Sequence, residues 1–247
     1  MEELLNLLER YLPGYRQQVR GYPDLVVDEL EEVFGHPLPE SYRQFANVMG
    51  AQGGPLFQEM SSYDPIQGVA ENYRLAPESV MPPRRFLFLF GSRDPLVSDC
   101  HWLDLDAPTE DGDYQVVLMP FGEHAWKKNL RRIYSGFREM LFLKAMTDIC
   151  LPTFPHQVKF SGGHEGKASS VDEVARIFER GGFIRLPHPH HSMIFERPGA
   201  AIRLYRPPRG SRFYIHAGAH RLDELHHLQR VLEDNTDVEH SSSSPVR

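Results

Sequence analysis

Apolar residues recur at helical spacing through the first fifty positions. Leu4, Leu5, Leu8 and Leu12 predict a helix near residues 2–12, which Pro13-Gly14 interrupts. A second helix starts after Pro23-Asp24, with Asp24 as its cap and Asp28 near the positive end of its dipole. Val27, Leu30, Val33 and Phe34 form its apolar stripe, and Gly35 ends it where a left-handed backbone costs least. Pro37-Leu38-Pro39 redirects the chain. Pro39 suits the first position of a third helix, where its missing N–H has no partner to lose. Leu38, Tyr42, Phe45 and Met49 fall on one face of that helix, and Gly50 closes it.

Beyond residue 54 the period changes. Phe86–Phe90, His101–Leu105 and Gln115–Met119 read as strands, the last two flanking an acidic hairpin-like loop. Leu130, Ile133, Tyr134, Phe137, Met140 and Leu141 return to helical spacing and predict a helix over Leu130–Ala145. The Pro-, Gly- and polar-rich segment 149–168 reads as a linker. Ser170 and Glu173 form a capping box before Val171, Val174, Ala175 and Phe178, and Gly181-Gly182 ends that helix. Short strands near 183–186, 192–196, 201–205 and 212–216 precede a helix through Leu222, Leu225, Leu228 and Leu232. The expected organisation is α+β: a first domain over 1–148, the linker, a smaller α-β-β-β-α unit over 169–234, and a disordered polar tail over 235–247.

Charge divides the chain in the same place. Met1–Cys150 holds 14 Lys and Arg against 23 Asp and Glu, a net of −9, whereas Leu151–Arg247 nets +2. Three histidines (His36, His101, His124) lie in the first part and ten in the second. Two cysteines, Cys100 and Cys150, form no CxxC pair and too small a set for a disulfide framework. The acidic N-terminus lacks the pattern of a signal peptide, and no apolar run reaches membrane-spanning length. The expectation is a cytoplasmic protein with no membrane partner and no cofactor.

Leu30, Glu31, Phe34, Gly35, Leu38, Pro39, Tyr42, Phe45 and Gly50 carry a wider resemblance. An acidic helix ending in Gly, then Leu-Pro, then a helix with Tyr and Phe, then Gly, resembles the SUKH superfamily of domains related to fungal cell-wall-assembly regulators. PRRFLFLFGSRD looks like that family's first sheet strand, HWLDLD like its next acidic strand, and YSGFREMLFLKA like its closing helix. The likeness spans about residues 20–146 and departs where Met49-Gly50 replaces the usual Asn-Gly. It implies a non-enzymatic domain, in bacteria most often an immunity protein that binds and neutralises a protein toxin, frequently a nuclease or deaminase.

The acidity of the first part fits a basic, nucleic-acid-cleaving partner independently, because opposite charge steers encounter. Leu30, Phe34, Leu38, Tyr42 and Phe45 have core spacing. Partner contact is expected on exposed acids: Asp28, Glu31 and Glu32 on the second helix, and Asp104, Asp106, Glu110, Asp111 and Asp113 around the loop.

Catalytic motifs are weaker. HPHH at His188–His191, HAGAH at His216–His220 and His226-His227 lack the ligand spacing of a metal site. GSRD at Gly91–Asp94, YSGF at Tyr134–Phe137 and FSGGH at Phe160–His164 are not nucleophile elbows. Asp104 and Asp106 share a strand face, as an acid–base pair could, but strand-end carboxylates are commonly just solvated. The second unit loosely resembles small mRNA-interferase toxins through Gly182-Phe183 and His190 or His191, without their Gly-Ser before the histidine. In that alternative Arg185, Arg197, Arg203, Arg206, Arg209 and Arg212 contact phosphate. Nucleic acid is not the leading expectation. A non-enzymatic scaffold or regulator is the third reading.

Overall fold

A computed structural model describes residues 1–57, 65–76, 81–90, 99–120, 126–164 and 169–241. Gly91–Asp94, His124 and the last six residues of the expected disordered tail lie outside the described residues. The fold is α+β, and the chain divides into two compact units between Leu141 and Phe142.

The first unit begins with α1 (Glu2–Tyr11), whose Leu4, Leu5, Leu7 and Leu8 are buried. A short β1 (Val19–Arg20) leads to α2 (Asp24–Phe34) and α3 (Glu40–Met49), after which β2 (Gln52–Gly53) pairs antiparallel with β1. Leu30, Phe34, Leu38, Tyr42 and Phe45 all enter the core, each burial being worth about 1.5–3 kcal/mol against exposure. Gly35 has φ +81°, and its N–H bonds Glu31 O, so it closes α2 in the left-handed cap the sequence predicts. Gly50 ends α3 in ordinary right-handed geometry; space decides there, since a Cβ would sit 2.6 Å from Ala46 O. Two helix starts differ from expectation by a residue. Pro23 and Pro39 occupy the cap positions, and Asp24 instead accepts a hydrogen bond from the Asn47 side chain (2.7 Å).

The helix α4 (Pro65–Leu75) is not foreseen by the hydrophobic pattern, which Gly68 and four polar residues dilute. It precedes an antiparallel meander of β3 (Phe86–Phe90), β4 (Asp99–Pro108), β5 (Tyr114–Pro120) and β6 (Arg131–Tyr134), with α5 (Trp126–Asn129) between the last two. β3 is an edge strand, yet all five of its residues are buried. The Tyr73 hydroxyl, from α4, donates to Phe86 O and accepts from Phe88 N, both at 2.9 Å. It thereby satisfies two backbone groups that an edge strand leaves open.

The helix expected over Leu130–Ala145 is a strand followed by a helix. Arg131–Tyr134 completes the sheet as β6, and α6 (Phe137–Lys144) starts only after Ser135-Gly136. Asp113 enforces this break by accepting the Arg138 N–H at 2.7 Å. A Cβ on Gly136 would meet Asp113 Oδ2 at 2.8 Å, so only glycine allows that approach.

In the second unit the helix widens to a π turn (Ala145–Cys150) and tightens to a 3-10 turn (Leu151–Thr153). Residues 149–168 are therefore not a linker. They contain β7 (His156–Gly162), an interior strand of the second sheet. Its alternation escapes notice because Gln157, Lys159 and Ser161 interleave with only Val158 and Phe160 before a Gly-Gly pair.

α7 (Val171–Arg180) carries the predicted capping box, both halves formed. β8 (Ile184–Arg185), β9 (Met193–Arg197), β10 (Ala200–Tyr205), β11 (Phe213–Ala219), α8 (Leu222–Asn235) and β12 (Glu239–His240) follow. Strand order is β12-β7-β11-β10-β9-β8, all pairs antiparallel. The simple α-β-β-β-α expectation thus omits both strands on the β7 side. The beginning of the expected disordered tail is ordered: Val238 is buried and β12 pairs with β7. One sheet face packs on α7 and α8 through Phe160, Phe195, Ile202, Leu204, Phe213, Ile215, Phe178, Leu225 and Leu232. The opposite face is polar near its β7–β10 centre.

Candidate functional site

The acids predicted to meet a partner sort into three groups. Asp104 and Asp113 are each only 2% exposed and correct the expectation that they lie on the surface. Asp113 accepts from the Ser41 hydroxyl (2.7 Å), Tyr114 N (2.9 Å) and Arg138 N (2.7 Å), fastening α3 and α6 to the β4–β5 hairpin. Asp104 lies beneath Arg85, at 3.6 Å. Both are internal parts of the fold.

A second group is paired within the unit. Arg43 binds Asp28 and Glu31, and Glu31 also accepts Leu38 N (2.8 Å), which closes the α2–α3 turn. Asp106 pairs with Arg85 at 2.9 Å while remaining exposed. The remainder are Glu32, Glu110 and Asp111, all exposed. Among the described residues Glu32 and Glu110 have no hydrogen-bond or ion-pair partner. The Thr109 hydroxyl bonds Asp111 and holds its carboxyl below the usual range, so it is ionised at neutral pH.

Arg84 caps the C-terminus of α2, donating to Val33 O (3.1 Å) and Phe34 O (3.2 Å), while the next residue, Arg85, holds Asp106. These neighbouring arginines tie the C-terminus of α2 to β4 near its turn. Across the turn, just before β5, Asp113 accepts from Ser41, immediately after exposed Glu40. Glu40 is an exposed acid that sequence reading passed over, since an acid in a first helical turn already has a dipole role. Glu32 on α2, Glu40 at the start of α3, and Asp106, Glu110 and Asp111 around the β4–β5 turn are all exposed acids.

The second unit carries a groove of about 530 Å³ on the sheet face opposite α7 and α8. Lys159 of β7, His216 of β11 and Arg203 of β10 stand in register across three adjacent strands. The neighbouring row on the same face pairs Tyr214 with Tyr205, whose rings stack at 6.0 Å and 21°. Thr147, from the π turn, accepts a short hydrogen bond from Arg203 and lines the groove. Among the described residues lining it there is no carboxylate. His216 Nε2 donates to Gln157 Oε1 (2.8 Å). Burial first, then the charges of Lys159 and Arg203, push its imidazole down to about 4, so it is neutral at pH 7. The sequence hides this site because it depends on β7, and because cross-strand register is invisible in spacing along one strand.

The other histidines do not converge: among the described residues no three His, Cys, Asp or Glu could share a metal ion. His188 and His190 meet edge to face at 4.7 Å, His191 contacts Pro207 O, and His226 and His227 project from α8. Ser161, His164 and Glu239 approach one another, yet the serine (3.4 Å) and the carboxylate (3.9 Å) both face Nε2. A catalytic triad needs them on different ring nitrogens. Nor do the six arginines share a face. Arg197 packs on Phe183 and bonds Gly181 O on the helix side, whereas Arg203 points into the opposite groove. Arg185 donates to His190 O, and Arg206, Arg209 and Arg212 are exposed. Cys100 and Cys150 are buried and not joined in a disulfide. Among the described residues no helix is long and apolar enough to cross a membrane. No protein-family model and no curated protein matches the chain.

Proposed function

We propose that this chain is an immunity protein that neutralises a cognate toxin by stoichiometric binding, with exposed acids of its first unit meeting a basic, nuclease-type surface. The observation that carries this reading is the set of exposed acids of the first unit. Glu32, Glu40, Asp106, Glu110 and Asp111 are exposed, and among the described residues Glu32 and Glu110 have no ion-pair partner. Exposed acids of this kind steer a cationic protein and accelerate encounter. The SUKH-like pattern of Leu25–Gly50 supports the same reading, with its recognisable residues acting as the buried frame beneath these acids. The reading requires a cytoplasmic protein, because nucleases of this kind act on cytoplasmic nucleic acid.

Co-expression with the product of the adjacent gene, followed by affinity capture and mass determination of the complex, tests it. A fixed-ratio complex and protected cells are expected. An adjacent product that is harmless, with no partner captured, removes the immunity reading.

A further inference from the structure

The groove on the second unit is built for a ligand of a different kind. Two cationic side chains, Lys159 and Arg203, flank His216 in one cross-strand row. Lys159 is exposed and, among the described residues, has no hydrogen-bond or ion-pair partner for its ammonium. Arg203 is held by Thr147 and by its stacking on Tyr205 (5.5 Å), so its guanidinium is positioned before any ligand arrives. Neutral His216 separates the two cations and is itself fixed by Gln157. An anion seated over this row would meet one rigid and one adaptable donor, as phosphate recognition by Arg and Lys requires.

The adjacent tyrosine pair supplies the second half. Tyr214 is 39% exposed, unusual for so large a ring on an interior strand, and it is braced by Tyr205. An exposed, braced aromatic face next to fixed cations suits a flat base attached to a phosphate. The groove volume of about 530 Å³ lies in the range of small-molecule sites.

We propose that this groove binds a nucleoside phosphate, with the phosphate between Lys159 and Arg203 and the base against Tyr214. The site shares no residue with the exposed acids of the first unit, so its failure leaves the immunity reading untouched, and the reverse.

Calorimetric titration of the full chain with AMP, UMP, adenosine and inorganic phosphate tests the assignment. AMP is expected to bind about tenfold or more tightly than either adenosine or phosphate alone. Lys159→Ala should weaken AMP about tenfold while leaving adenosine unchanged. Tyr214→Ala should weaken AMP and adenosine but not phosphate. Both side chains are exposed, and unchanged thermal melting of each variant verifies the fold. Phosphate binding as tightly as AMP, no heat from AMP at about millimolar concentration, or wild-type affinity in both variants overturns it. Single-stranded RNA binding more tightly in proportion to its length also overturns it, in favour of a polymer track.

Discussion

Tyr42 and Asp113 show how differently two polar groups behave once buried. The Tyr42 ring packs against Phe45 and Phe137, but its hydroxyl is buried with no hydrogen-bond partner among the described residues. Burial raises its pKa, so the group stays neutral. Removing an unsatisfied hydroxyl relieves a desolvation cost, and Tyr42→Phe is expected to raise unfolding free energy by about 1 kcal/mol in urea titration. Asp113 is the opposite case. Its three accepted hydrogen bonds are charge-assisted, and Asp113→Ala strands Ser41 and two backbone donors, so a loss of about 3 kcal/mol or more is expected in the same titration. The sequence marks Asp113 only as one more acid in DAPTEDGD. Its partners are 72 and 25 positions away, and nothing in the local pattern announces them. Leu30, Phe34 and Gly35 were legible because helical spacing and the glycine cap are local properties.

At the level of elements, legibility followed the same division. α2, α3, α7 and α8 stand out by period and capping, and β3, β4 and β5 by apolar runs. β6 was hidden inside an apparent helix because Leu130, Ile133, Tyr134 and Phe137 happen to keep helical spacing. What separates it from α6 is a tertiary event, the capping of Arg138 N by Asp113. β7 was hidden by its polar face, and that face is the one bearing Lys159. The Lys159–His216–Arg203 row has a measurable consequence. The unfolded chain protonates His216 as pH falls through 6.5, while the folded chain resists until about 4. The contribution is therefore intact above pH 6.5 and lost as pH falls to about 4. Allowing for solvent screening of a partly exposed ring, the loss is on the order of 1–2 kcal/mol. Wild type should lose that much more stability than His216→Asn between pH 7 and pH 4.5, by denaturant titration. Parallel pH profiles of the two proteins would contradict the buried, charge-flanked setting. A second element-level test concerns β3. Tyr73→Phe removes the hydroxyl that serves Phe86 O and Phe88 N, and is expected to cost about 2 kcal/mol and to speed amide exchange at Phe88.

At the scale of the whole molecule, the first unit carries a net of −9 and exposed acids, and the second carries a cationic, tyrosine-lined groove. The division in charge was readable from composition; drawn at Cys150, it falls nine residues past Leu141, where the first unit ends. Where the groove lies was not readable, because it is assembled from strands far apart in sequence. The proposed function rests on the exposed acids, and their charge can be inverted without touching the core. Glu32, Glu110 and Asp111 are exposed, so Glu32→Lys, Glu110→Lys and Asp111→Lys combined should leave the fold intact and change the partner surface by six charges. The most direct measurement is growth of cells co-expressing the adjacent gene's toxin with either wild type or this triple variant, at matched protein levels. Protection by wild type, and its loss in the triple variant, is the predicted result. Equal protection by both proteins would contradict these acids as the neutralising surface.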